Sequence, residues 1–314
     1  ILMLGDERVK KLVIASPRGF CAGVKRAIEI VEKAIQLWGA PIYVKHEIVH
    51  NQFVVDSLRE KGAIFVDELD EIPPGSRVIF SAHGVPPSAF QDADQRGLKV
   101  TDATCPLVTK VHKEAARFSK KGYEILLVGH ENHVETIGTR GVAPLQTAVV
   151  ESVEDAHNVL VKDPSHVAVL TQTTLSVDDT KDILQELKSR FPDIQAPSKS
   201  DICYATTNRQ AAIKEICKEV DLVLVVGSRT SSNSNRLREV AERAGVCSYL
   251  ISSESEIMPQ WLQNVRSVGM TAGASTPETI IMKCIAKLRS LGVTEVEERP
   301  LVEESVQFNL PPMH

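Results

Sequence analysis

Aromatic residues are scarce in this chain: Phe, Trp and Tyr together make up 4% of 314 residues. So few ring faces leave no stacking platform for single-stranded nucleic acid. A formal net charge of −5, with no basic stripe, offers no footprint for a phosphate backbone. Long apolar runs are missing too. None approaches the roughly 18 residues that a membrane-spanning helix needs, and the opening stretch, with Asp6, Glu7, Arg8, Lys10 and Lys11, lacks a secretory apolar core. The expectation is a cytoplasmic protein with no nucleic-acid or membrane partner. No two of the six cysteines form a CxxC pair, and in a reducing compartment they are expected as thiols or metal ligands rather than disulfides. Neither GxGxxG nor GxxxxGK[ST] occurs, which ranks nicotinamide and ATP chemistry low.

What is present is ordinary globular material, 43% hydrophobic and 25% charged. Short apolar runs such as Ile125 to Val128 and Leu222 to Val226 alternate with amphipathic helical patterns, which calls for an α/β fold of mostly parallel sheets with helices on both faces. The length accommodates three modules of roughly 80 to 100 residues. We expect them over residues 12–104, 105–199 and 200–291, with a C-terminal tail, 292–314, packing on the first.

The pivot is Thr101-Asp102-Ala103-Thr104-Cys105-Pro106, where a short strand hands over to a helix through a polar turn that carries one cysteine. Cys21 and Cys203 occupy similar addresses. Counting on, His50 follows Cys21 by 29 positions, His133 follows Cys105 by 28 and Ser231 follows Cys203 by 28. A second polar loop closes each third: Ser81-Ala82-His83-Gly84, Thr171-Gln172-Thr173-Thr174 and Thr271-Ala272-Gly273-Ala274-Ser275. Such self-similarity implies three pseudo-repeated modules that present their loops to one shared centre, and loops at the carboxyl ends of parallel strands are where ligands bind.

Taken singly, each cysteine is more readily a small buried hydrophobe than a ligand; three at one address suit an iron–sulfur cluster or a zinc, with one metal position open for substrate. Cys217 and Cys284, in helix patterns, and Cys247, in a short strand, are assigned to packing. His50, His83 and His133, with Ser231, Ser232, Asn233 and Ser275, suggest a phosphate-bearing ligand held by imidazole and hydroxyl donors. His46, His112 and His130 have no counterparts and read as bystanders. Glu135 could donate a proton to a leaving hydroxyl, with Thr173 relaying it; the plainer alternatives are a solvated loop glutamate and a helix cap.

Pro17-Arg18-Gly19-Phe20-Cys21-Ala22-Gly23, Ser81-Ala82-His83-Gly84-Val85, Asp102-Ala103-Thr104-Cys105-Pro106, Thr171-Gln172-Thr173-Thr174-Leu175-Ser176, Cys203-Tyr204-Ala205-Thr206-Thr207-Asn208-Arg209-Gln210 and Thr271-Ala272-Gly273-Ala274-Ser275 together give the chain a specific likeness. It resembles the 4-hydroxy-3-methylbut-2-enyl diphosphate reductases over nearly its whole length. That resemblance implies a trefoil of three modules around a 4Fe-4S cluster on Cys21, Cys105 and Cys203. It implies diphosphate contacts from His50, His83, Ser231, Ser232, Asn233 and Ser275, with His133 in the pocket, and proton delivery from Glu135 beside Thr173. It further implies an external electron donor such as ferredoxin or flavodoxin. Where the family commonly has His-Pro-Glu, this chain has His133-Val134-Glu135. Two rival readings accompany it: a zinc-dependent phosphohydrolase on the same loops, and a non-catalytic iron–sulfur protein.

Overall fold

Parallel strands buried on both faces must be apolar throughout, and Leu222–Val226 is the clearest case: all five of its side chains are buried. A computed structural model describes residues 11–313; the charged opening positions Asp6, Glu7, Arg8 and Lys10 lie outside the described residues. In chain order, β1 (Lys11–Ser16) leads to α1 (Ala22–Trp38), β2 (Ile42–Lys45), α2 (Gln52–Glu60), β3 (Ala63–Val66), β4 (Arg77–Phe80), α3 (Pro87–Gln95) and β5 (Lys99–Asp102). Then come α4 (Pro106–Lys120), β6 (Glu124–Val128), α5 (Val134–Arg140), β7 (Thr147–Val150), α6 (Val153–Asn158), β8 (Val167–Thr171) and α7 (Val177–Arg190). The last third holds α8 (Tyr204–Ile216), β9 (Leu222–Val226), α9 (Ser232–Arg243), β10 (Cys247–Ile251), β11 (Ser267–Ala272), α10 (Glu278–Ser290) and β12 (Glu295–Pro300).

The strands form three parallel sheets, ordered β10-β9-β11-β1-β12, β3-β2-β4-β5 and β7-β6-β8. By contacts the chain divides into two compact units, the first holding residues 11–21, 50–52 and 204–306, the second residues 22–49, 53–203 and 307–313.

In the first unit, period-two alternation sends Leu12, Ile14, Leu222, Leu224 and Val226 to one face of the five-stranded sheet, where Ile281, Cys284 and Leu288 of α10 cover them. Val13, Ala15, Val223 and Val225 go to the other, under Ile213 and Ile216 of α8 and Leu237 of α9. Each buried Val, Leu or Ile among them contributes about 1.5–3 kcal/mol. β1 pairs with β11 on one side and β12 on the other. The opening strand of the expected 12–104 module is therefore shared with the third stretch of the chain, and the expected tail supplies an edge strand beside it.

The second unit carries the other two sheets. Leu126, Val128, Val167 and Val169 face the apolar side of α7, with Ile183 and Leu187, whereas Ile125, Leu127, Ala168 and Leu170 face Val111, Ala115 and Phe118 of α4. In the first unit α8 begins at Tyr204, directly after Cys203. Its early polar residues Thr206, Arg209 and Gln210 are buried, so the apolar pattern hides its first two turns.

Candidate functional site

In the second unit the site is built at the ends of β4, β5, β6 and β8. Asp102 closes β5 and accepts from the Thr104 amide at 2.9 Å and from the Thr104 hydroxyl, a local Asx-type turn. The chain then swings so that the Cys105 amide donates to Ala82 O at 2.9 Å. Cys105 is the N-cap of α4, with Pro106 in its first turn. Arg26 of α1 donates through Nη1 to the carbonyls of Ala103 and Thr104, at 3.3 and 3.1 Å. Burial pulls its guanidinium below the usual range, opposed by the charges of Asp102 and Cys105.

Beside this turn, His83 Nδ1 lies 3.3 Å from Ser81 Oγ, and the His83 ring meets that of His133 edge-on with centroids 6.1 Å apart. His133 caps α5: its Nδ1 accepts from the Glu135 amide at 3.2 Å, which leaves the ring proton on Nε2 when the imidazole is neutral. Glu135 is 2% exposed. Thr173 donates to it twice, from its amide to Oε1 at 2.6 Å and from its hydroxyl to Oε2 at 3.1 Å. Burial pushes the Glu135 carboxyl up to about 7 against those two hydrogen bonds, and the charge of Asp201 adds to the rise. The Cys203 amide donates to Thr173 O at 3.1 Å. Thus His83, Cys105, His133, Glu135, Thr173 and Cys203 are linked within one unit, each through a neighbour or a direct contact.

The first unit gathers the remaining candidates around residues 273–275. The Cys21 amide donates to Ala274 O at 3.2 Å. Ser275 Oγ donates to His50 O at 3.0 Å, and the Ala274 amide donates to Asn233 Oδ1 at 3.0 Å. Ser231 caps α9 by accepting from the Ser234 amide at 3.3 Å, so Ser232 and Asn233 stand in a first turn whose amides and dipole favour an anion. Gly273 and Gly227 let these segments close on α9: a Cβ at either would stand 2.1 or 2.2 Å from Ser234 Oγ.

Whether an iron–sulfur cluster suits these cysteines is a question of thiol chemistry. Cys21, Cys105 and Cys203 are half-buried, and each directly precedes a helix of 13 residues or more. Cys217 and Cys284 are buried, and desolvation drives their thiols up to about 11 and about 12, as packing residues. Cys247, expected in packing, is exposed. The donor set fits a cluster. Among the described residues no group of three or more His, Cys, Asp or Glu side chains could hold a metal ion.

Three supporting contacts were not legible in the sequence. Lys110 of α4 donates to the carbonyls of Lys199 and Ser200 and to Asp201 Oδ1, at 2.8, 3.0 and 2.9 Å, while Asp201 Oδ2 accepts from the Thr171 amide at 3.1 Å. That clamp fixes the approach to Cys203. Arg209, fully buried, donates to Gly19 O at 2.8 Å and to Glu304 at 2.9 Å, holding the loop before Cys21. His112 packs under Gly84, whose added Cβ would stand 3.0 Å from its ring, and burial lowers its basicity. The only hint of the first two was an acid or arginine inside a strongly patterned motif.

The family described as LytB protein matches residues 12–289. The 4-hydroxy-3-methylbut-2-enyl diphosphate reductase of Bordetella pertussis is 57% identical over 301 residues, covering 96% of this chain and 93% of its own length. That of Actinobacillus pleuropneumoniae serotype 5b is 56% identical over 303 residues, covering 96% of both. Among solved structures, the E-1-hydroxy-2-methyl-but-2-enyl-4-diphosphate reductase from Plasmodium falciparum superposes with a TM-score of 0.94 at 42% identity over 96% of each chain. The zinc phosphohydrolase expectation is thereby overturned.

Proposed function

This chain belongs to the LytB protein family of 4-hydroxy-3-methylbut-2-enyl diphosphate reductases, and from that premise we propose that it removes the allylic hydroxyl of that diphosphate to give isopentenyl and dimethylallyl diphosphate. The observation that carries the reading is Glu135, a buried carboxyl held between two donors of Thr173 and pushed up to about 7. Such a group keeps a proton near neutral pH and can still release it, as a general acid must.

Glu135 gives its proton to the departing hydroxyl, which leaves as water, and Thr173 keeps the carboxyl oriented. A second proton adds at either end of the allylic system, and two electrons are consumed. His50, His83, Ser231, Ser232, Asn233 and Ser275 bind the diphosphate, with His133 beside it; the first turn of α9 adds backbone donors. Cys21, Cys105 and Cys203 would hold a 4Fe-4S cluster, which when bound would pass on the electrons and offer a Lewis-acidic iron. The electrons come from an external carrier such as ferredoxin or flavodoxin, in the cytoplasm, because the chain has no flavin or nicotinamide motif.

The test is anaerobic turnover with a chemically reduced carrier. Wild type is expected to form both products, and Glu135→Gln to bind the diphosphate with little turnover. A Glu135→Gln protein of undiminished rate would refute the assignment.

A further inference from the structure

Register places Gln172 one step past the last rung of β8. Thr171 pairs with Val128 of β6, and the Gln172 amide donates to Val128 O at 2.8 Å. Alternation then puts its side chain with Ala168 and Leu170, on the side that α4 covers and where α5 packs against α4. There Gln172 is buried. A side-chain amide taken out of water must pair both its ends, and the surroundings fix which end points where. The backbone N–H of His130 can only donate, so the atom 3.1 Å from it is Oε1. Thr136 adds its hydroxyl to the same oxygen at 3.3 Å. On the other side Nε2 donates to Thr174 Oγ1 at 2.8 Å.

These three partners frame the acid. Thr136 follows Glu135, and His130 opens the turn that leads to His133. Gln172 and Thr174 flank Thr173, which donates to both carboxyl oxygens of Glu135. One side chain thus ties the loop that carries the acid to the strand end that carries its donor. The packing around the tie has no slack. A Cβ added at Gly129 would stand 2.8 Å from Thr136 Oγ1 and 3.2 Å from Gln172 Cβ.

We propose that Gln172 is a positioning residue for the reduction: it braces the loop 129–136 against residues 171–174 and so keeps Glu135 on both donors of Thr173. The inference rests on the reading of Glu135 as the acid and deepens it. Without the brace the two segments can part, and the carboxylate loses donors that favour it while its buried surroundings remain. The acid then keeps its proton to higher pH and is held less well for transfer. Titratable groups on the elements that meet Glu135 are Asp201 and Cys203 beside Thr173, His130 and His133 in its own loop, and His83 against His133. The variants below leave all of them in place, so a displaced titration reads the brace.

The experiment titrates the anaerobically prepared full chain across neutral pH by infrared difference spectroscopy, with Glu135→Gln as the blank that isolates the Glu135 carboxyl. It needs neither substrate nor turnover. Gln172→Met keeps the bulk and removes all three hydrogen bonds; the midpoint should move upward by about half a pH unit or more. Thr174→Val removes one of the three. It should move the midpoint less, in the same direction, and it keeps the test decisive should Gln172→Met misfold. In steady-state kinetics Gln172→Met should lower kcat about tenfold and leave KM within about twofold. A midpoint unmoved or lowered, an unchanged kcat, or a KM that rises in step with the loss of kcat would overturn the brace. Failure of the acid reading shows separately, as a wild-type rate retained in Glu135→Gln.

Discussion

Thr173 addresses both oxygens of Glu135, its amide at 2.6 Å from Oε1 and its hydroxyl at 3.1 Å from Oε2. One residue thus sets the orientation of the carboxyl and limits how far burial can raise its proton affinity, since both hydrogen bonds favour the charged form.

Removing the acid is expected to cost the most. Glu135→Gln keeps an acceptor toward the Thr173 amide but carries no transferable proton, and turnover should fall by about 10²–10³-fold with little change in KM. Thr173→Val removes only the hydroxyl donor; it should lower turnover by about tenfold and move the alkaline limb of the pH–rate profile, where the acid loses its proton, to higher pH, because a hydrogen bond that favoured the carboxylate is lost. Steady-state kinetics from pH 5.5 to 9 read both.

The same carboxyl makes stability depend on pH. Its folded value of about 7 lies above the ordinary 4.5, so the folded state binds the proton more tightly. This contribution is complete below about 4.5 and is lost as pH rises through about 7. Wild type should therefore lose up to a few kcal/mol between pH 5 and pH 8 relative to Glu135→Gln. Parallel pH–stability curves for the two proteins, from urea unfolding, would contradict this.

Much of this site was visible in the sequence because its parts are local. Asp102, Thr104, Cys105 and Pro106 form a strand end, a turn and a helix cap within five residues, and short-range chemistry determines them. The polar loops at 171–174 and 271–275 were readable for the same reason. The clamps were not. Lys110 and Asp201 are 91 residues apart and Arg209 and Glu304 are 95 apart, so no periodicity connects them. The pairing of β1 between β11 and β12 was equally hidden: it depends on which edge a strand joins, and the apolar pattern of Leu12 to Ala15 suits any buried parallel position.

Lys110→Met should leave the Asp201 carboxylate buried, with only the Thr171 amide for compensation. Half of a buried ion pair is costly, about 3 kcal/mol here, measurable by urea unfolding. Lys110→Met combined with Asp201→Asn should recover much of that loss, since no unpaired charge remains.

The Arg209 clamp acts on the loop before Cys21. Glu304→Gln removes the anion facing a fully buried guanidinium, with an expected loss of about 2–3 kcal/mol. Arg209→Lys cannot reach Gly19 O, Ala205 O and Glu304 together. It should lower the iron retained per chain after desalting, while Arg299→Lys, on the exposed Glu219 and Glu297 pairs, should retain the wild-type amount.

The central claim is that Cys21, Cys105 and Cys203 carry one cluster that meets the substrate. Iron and labile-sulfide analysis with electron paramagnetic resonance, on anaerobic protein before and after addition of the allylic diphosphate, tests it most directly. The expected result is about four iron and four sulfide per chain, a signal that changes when the diphosphate binds, and loss of both in each single Cys→Ala protein. Iron-free protein that still reduces the diphosphate at the full rate would contradict it.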